Sequence, residues 1–165
     1  MTIPFTPEQL DHLAAHYGTP LWVYDAATIQ ERIAQLSAFD TVRFAQKACS
    51  NIHILRLMRA QGVKVDAVSR GEILRALAAG YQGGGGHPSD IVFTADVLDP
   101  STLATVVEHH IPVNAGSIDM LDQLVQAGLV LAEGQGHGLQ AVLHGRVIIL
   151  HQLPVVIQHL ANPLK

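Results

Sequence analysis

Val63-Lys64-Val65-Asp66-Ala67-Val68-Ser69-Arg70-Gly71-Glu72-Ile73-Leu74-Arg75-Ala76-Leu77-Ala78-Ala79-Gly80 reads as one complete strand–helix unit. The first six residues form a short apolar, valine-rich run of strand length. Ser69-Arg70-Gly71-Glu72 then has the pattern of a capping box, in which a serine hydroxyl and a glutamate three residues later satisfy the first free N–H groups of a helix. The helix is expected over residues 70–79, with Gly80 as its stop.

The same unit recurs on both sides. Upstream, Val42–Gln46 reads as a strand, Ser50 or Asn51 as the cap of a helix using Leu55 and Met58, and Gly62 as its end. Downstream come a strand at Ile91–Thr94 and a helix opened by Asp99-Pro100 with Leu103, Val106 and Val107 on one face. A strand at Pro112–Ala115 follows, then a helix capped by Ser117 and carrying Ile118, Leu121 and Val125, with Gly128 after it. At the front, Thr6-Pro7-Glu8-Gln9 is a cap, a proline at the first helical position and a capping-box glutamine, followed by Leu10, Leu13, Ala14 and Tyr17 at helical spacing. A short strand is expected at Leu21–Tyr24, and Asp25 caps a helix bearing Ile29, Ile33 and Leu36. Regular alternation of apolar strands and amphipathic helices means an α/β fold with a parallel sheet covered by helices. A (β/α)8 barrel and a doubly wound sheet both satisfy it.

A chain of 165 residues with 48% apolar and 15% charged residues and a net charge of −4 can bury one core. There is no basic surplus to attract nucleic acid and no uninterrupted apolar stretch long enough for a bilayer. The start, Met1-Thr2-Ile3-Pro4-Phe5, has no basic and apolar signal character. The single cysteine, Cys49, leaves no internal disulfide, fits a reducing cytoplasm, and reads as a small packing residue.

Chemistry centres on Arg43-Phe44-Ala45-Gln46-Lys47-Ala48-Cys49-Ser50-Asn51. Lys47 closes an expected buried strand before a small-residue turn. A buried ammonium needs a partner or a lowered pKa, and a deprotonated lysine condenses with aldehydes such as pyridoxal phosphate. The alternative is a lysine whose stem lies on the core while its head reaches water.

Residues 17–124 resemble the N-terminal half of the bacterial diaminopimelate decarboxylase family, fold-type III pyridoxal-phosphate enzymes. The resemblance rests on Tyr17-Gly18-Thr19-Pro20-Leu21-Trp22-Val23-Tyr24-Asp25, the Lys47 segment, Val65-Asp66-Ala67-Val68-Ser69-Arg70-Gly71-Glu72 and Ile91-Val92-Phe93-Thr94, in the family's order. It favours the barrel, of which this chain would hold roughly the first half. It implies pyridoxal 5'-phosphate as cofactor, with Lys47 catalytic and forming the internal aldimine, and Asp66 and Glu72 near the cofactor. It also implies an amino-acid substrate, meso-diaminopimelate decarboxylated to L-lysine, and a homo-oligomer, a dimer. Ornithine or arginine decarboxylases and racemase-like proteins share that fold and stay open. So does a non-catalytic remnant that pairs with a full-length decarboxylase.

The residues have plainer readings too. The capping box alone explains Glu72. Asp66, a carboxylate inside a parallel strand, calls for a cation such as Lys47. Arg70 reads as a solvated charge. Gly83-Gly84-Gly85-Gly86 lacks the strand before and helix after that a phosphate cradle needs, and reads as a flexible helix-to-strand loop. His137, His144, His151 and His159 recur every seven to eight residues, but Gly138, Gly145 and Pro154 oppose a helix there, so no metal site is expected.

From residue 129 the pattern stops. Glu133, Arg146 and Lys165 are the only charged residues of that stretch, and its apolar runs at Val147–Leu150 and Val155–Ile157 are split by Pro154. Residues 1–128 are expected to form the cofactor-binding barrel part, and 129–165 a divergent tail, truncated or frameshifted, with room for one or two strands or a short helix.

Overall fold

Helix caps written in the sequence set the element boundaries. In this computed structural model, which describes residues 4–85 and 87–127 and the backbone of 130–133, 139–142 and 148–149, the chain forms two compact units, residues 1–40 and 41–165.

The first unit holds α1 (Pro7–Tyr17) and α2 (Ala26–Ala34). Thr6 and Gln9 make the reciprocal capping box, and Asp25 accepts from Thr28 N at 2.6 Å. Neither helix has a fully buried residue. The strand expected at Leu21–Tyr24 does not form: the residues take no strand conformation, and Trp22 is 86% exposed. An apolar run becomes a strand only where a neighbouring strand takes its N–H and C=O groups.

The second unit follows the expected alternation: β1 (Arg43–Ala45), a 3₁₀ turn (Gln46–Ala48), α3 (Ile52–Ala60), β2 (Lys64–Ala67), α4 (Arg70–Ala78), β3 (Ile91–Phe93), α5 (Pro100–Glu108) and α6 (Ile118–Gln126). The strands are parallel and lie in chain order, β1-β2-β3. Asn51, Ser69, Asp99 and Ser117 each cap the helix that follows them. Gly80 (φ +98°) ends α4 in the left-handed region, where a side chain is strained.

One face of the sheet presents Val65, Ala67, Ile91 and Phe93 to the helices, where Leu55, Ile73, Ala76, Val106, Met120, Leu121 and Leu124 complete a continuous core. The fourth strand is shorter than expected. Val113 makes a single parallel bridge to Phe93, closed by Phe93 N to Pro112 O (2.9 Å) and Asn114 N to Phe93 O (2.8 Å). Pro112 has no N–H to extend the ladder. In α6 the buried face is Met120, Leu121 and Leu124, whereas Ile118 and Val125 are exposed.

Gly83, Gly84 and Gly85 form a close-packed helix-to-strand connection. A Cβ on Gly83 would fall inside the His109 carbonyl, and one on Gly84 would come within 2.5 Å of His110 O, to which Gly84 N is hydrogen-bonded at 3.0 Å. Beyond residue 129, β4 (Val130–Glu133), β5 (Leu139–Val142) and β6 (Ile148–Ile149) form an antiparallel sheet, a break from the parallel pattern. One or two strands or a short helix were expected in this stretch; three strands form among the described residues, the last within the apolar run at 147–150, and the run at 155–157 lies outside the described residues.

Candidate functional site

In a parallel sheet the side chains alternate, so the face opposite the helix-covered core belongs to the other half of each strand. Ala45 is in register with Asp66, and Asp66 with Val92. Thr94 and Asn114 continue this face one position past the ladder, and Asn114 Nδ2 donates to Thr94 Oγ1 at 2.8 Å. Its N-terminal edge carries Arg43 and Lys64. The result is a polar strip running across four strand segments, ending where β1 hands over to the 3₁₀ turn.

Lys47 sits in the middle of that turn, two residues past the Ala45–Asp66 pair, and is exposed. This corrects the expected buried strand end. β1 is an edge, with a ladder partner on one side among the described residues, and both Arg43 and Ala45 are open to solvent. The cost of burying an ammonium therefore does not arise at Lys47.

Asp66 is half-buried, and its Oδ1 has no hydrogen-bond partner among the described residues. The expected ion pair with Lys47 does not form. Lys47 leaves the ladder for the turn, and the cation acting on Asp66 is Arg43. Burial lowers the Arg43 guanidinium below its usual range, while Asp66 and Asp90 pull it back up. Arg43 Nη1 also donates to Val65 O (3.3 Å) and Asp90 O (3.2 Å), stitching the edge of the sheet. Lys64 pairs with Asp90 at 3.9 Å.

Glu72 performs the capping role read from its spacing. Its N–H donates to Ser69 Oγ at 3.2 Å, and its Oε2 accepts from Val68 N at 2.9 Å, closing the cap one residue earlier than the standard box. Its backbone carbonyl accepts from Gln46 Nε2 at 2.7 Å, which brings Glu72 to the root of the Lys47 turn. Arg70 is not merely solvated: its Nε donates to Thr105 Oγ1 at 3.0 Å and ties α4 to α5.

Sequence reasoning passed over Gln46, Thr94 and Asn114. Each carried a signal. Gln46 has the parity of Phe44, which faces the core, so a polar side chain there is out of pattern. Asn114 is the polar residue of an otherwise apolar expected strand. Gly83–Gly85 precede β3 and so lie at the opposite end of the strands from Lys47, which excludes them from this site. Among the described residues no three His, Cys, Asp or Glu side chains gather as metal ligands. His137, His144, His151 and His159 lie outside the described residues. Among the described residues no helix is long and apolar enough to cross a membrane.

Residues 26–130 match the family of the pyridoxal-dependent decarboxylase, pyridoxal binding domain. The chain belongs to this family. Diaminopimelate decarboxylase of Escherichia coli (strain K12) is 63% identical over 139 residues, covering 81% of this chain and 33% of the relative. The Streptomyces coelicolor diaminopimelate decarboxylase is 61% identical over 131 residues, covering 76% of this chain and 30% of the relative. A crystal structure of diaminopimelate decarboxylase matches with a TM-score of 0.72 at 62% identity, over 81% of this chain and 33% of that one. The chain thus spans about a third of the length of the curated relatives it matches. Within the pyridoxal-dependent decarboxylase fold, the parallel segments are the opening arc of a (β/α) barrel wall rather than part of a doubly wound sheet.

The site residues fit the family's cofactor. An exposed primary amine at the C-terminal ends of the strands is placed where barrel proteins carry their chemistry. On the polar strip, Asp66 Oδ1 on β2 and Asn114 Oδ1 on the fourth strand segment are shielded from solvent yet have no hydrogen-bond partner among the described residues, an arrangement suited to a polar ligand.

Proposed function

We propose that this chain supplies the cofactor-anchoring part of a diaminopimelate decarboxylase, with Lys47 as the residue that holds pyridoxal 5'-phosphate and Asp66 and Glu72 beside the pocket. The observation that carries the reading is the position of Lys47. It is an exposed amine on a braced turn at the strand ends, in a chain 63% identical to such an enzyme over 139 residues. When bound, the cofactor supplies the electron sink that lets a carboxylate leave as carbon dioxide. The chain's own work is placement. Lys47 Nζ presents the amine that holds the cofactor's aldehyde. Asp66 brings a carboxylate to the same face, where it can favour a positive charge on a bound ring or on a substrate ammonium. Glu72 shapes the first turn of α4 through Val68 and Gln46.

The reading takes residues 1–128 as the barrel part and 129–165 as a divergent tail. Its substrate is meso-diaminopimelate, decarboxylated at the D-centre to L-lysine, in a cytoplasmic homo-oligomer. The remaining substrate contacts belong to barrel and partner regions beyond the matched third, so the chain alone is expected to turn over weakly or not at all. Borohydride reduction with added pyridoxal phosphate, followed by peptide mass mapping, tests the anchor. The expected result is a phosphopyridoxyl group mainly on Lys47 and its disappearance from that peptide in Lys47→Ala. Scattered labelling would overturn the reading, and robust carbon dioxide release by the purified chain would overturn the expectation of weak turnover.

A further inference from the structure

Gln46 is fully buried, yet the two residues after it in the same short turn, Lys47 and Ala48, are exposed. Its side chain reaches away from the polar strip, toward α4, where Nε2 donates to Glu72 O at 2.7 Å. That carbonyl lies in the first turn of a helix whose own start is locked by Ser69 Oγ and by the Glu72 carboxylate on Val68 N. From the other side, Gln46 O accepts from Cys49 N at 3.0 Å and from Ser50 Oγ at 3.2 Å. The peptide leading into Lys47 is therefore gripped through both the backbone and the side chain of the residue before it.

The amide is an expensive way to fill this space. Its Oε1 is buried with no hydrogen-bond partner among the described residues, and a buried polar atom left unpaired costs stability. A methionine would occupy a similar volume without that cost. What methionine cannot do is donate to Glu72 O.

We propose that Gln46 is a positioning residue for Lys47: its amide ties the turn to the first turn of α4 and fixes where Nζ meets the cofactor's aldehyde. The assignment rests on Lys47 being the anchor, as read above.

The chain holds three lysines, Lys47, Lys64 and Lys165, so pyridoxal-phosphate labelling carries its own reference. The full chain is incubated with pyridoxal phosphate, reduced with borohydride and mapped by mass. The Lys47 to Lys64 labelling ratio is read beside a thermal melt and the visible absorbance of the unreduced adduct. Gln46→Met is expected to melt at the parent temperature or above it, while the ratio falls about tenfold, the upper end for one lost hydrogen bond. Gln46→Glu keeps the side chain's shape but presents no N–H at neutral pH, and is expected to show the same fall in ratio.

An unchanged ratio in a folded Gln46→Met would overturn the proposal, and so would equal losses at Lys47 and Lys64. Loss of the cooperative melt in both variants would assign Gln46 to stability alone and overturn it too. A parent chain that does not favour Lys47 would defeat the anchor reading itself, which separates the two failures.

Discussion

The two faces of the parallel sheet are built from the same strands and do opposite work. Toward the helices, Val65, Ala67, Ile91, Phe93 and Val113 are fully buried and contribute apolar area. Away from them, Arg43, Lys64, Asp66, Thr94 and Asn114 form the polar strip, with charges and unpaired oxygens that cost stability rather than add to it. Alternation along each strand lets one short segment serve both tasks. Apolar burial is concentrated on one face, and the residues of the proposed site on the other.

That contrast can be broken by experiment. The largest expected effect on stability is on the core face: Phe93→Ala should destabilise the chain by about 3–5 kcal/mol in a denaturant titration. Asp66→Asn, on the polar face, should leave the midpoint nearly unchanged while weakening labelling of Lys47. Equal losses of stability from the two changes would erase the distinction between the faces.

Gly83→Ala should rank next, at about 1–3 kcal/mol, because the new methyl group meets the His109 carbonyl and the backbone must shift. A neutral result would restore the flexible-loop reading. Tyr81→Phe should cost about 1 kcal/mol through loss of the hydroxyl bond to Leu55 O. Burial, chiefly, raises the Tyr81 phenol from 10.0 to about 12, with Asp90 adding to the shift. The folded state therefore keeps a proton that the unfolded chain releases. This contribution is full below pH 10 and is lost as pH rises to about 12. Alkaline titrations of parent and Tyr81→Phe should converge across that window.

The smallest effect should come from Asp99, where hydrogen bonds from Ser101 and Thr102 hold the carboxyl well below the usual range. Its contribution is present above the ordinary aspartate range and fades as pH falls through the lowered value. Asp99→Asn, which keeps a capping side chain, should flatten the acid limb of the stability curve slightly.

Much of the helix-covered face was legible in the sequence. Capping residues such as Thr6, Asp25, Asn51, Ser69, Asp99 and Ser117 act locally, and each does what its spacing implied. Lys47 was legible as a position but not as an environment. Whether a strand end is buried depends on how many neighbours its strand acquires, a non-local property absent from the local pattern. Leu21–Tyr24 is apolar enough for a strand, yet local pattern alone does not make one. Asp66 lies in its strand as expected, but the cation that feels it is Arg43, two positions before its register partner Ala45 and on the same face. Gln46 was missed because a polar residue at core parity looks like noise until its partner, 26 positions away, is in view.

The spatial order of the strands, identical to their order along the chain, bears on how the protein comes into being. Among the described parallel strands each βα unit docks on the one made just before it, so these contacts stay short in sequence. A nascent chain leaving the ribosome can lay down this wall one unit at a time, with every completed unit offering a growing edge to the next. The lysine turn belongs to the first strand of that series, so its bracing by α4 falls into place as soon as the second unit has emerged.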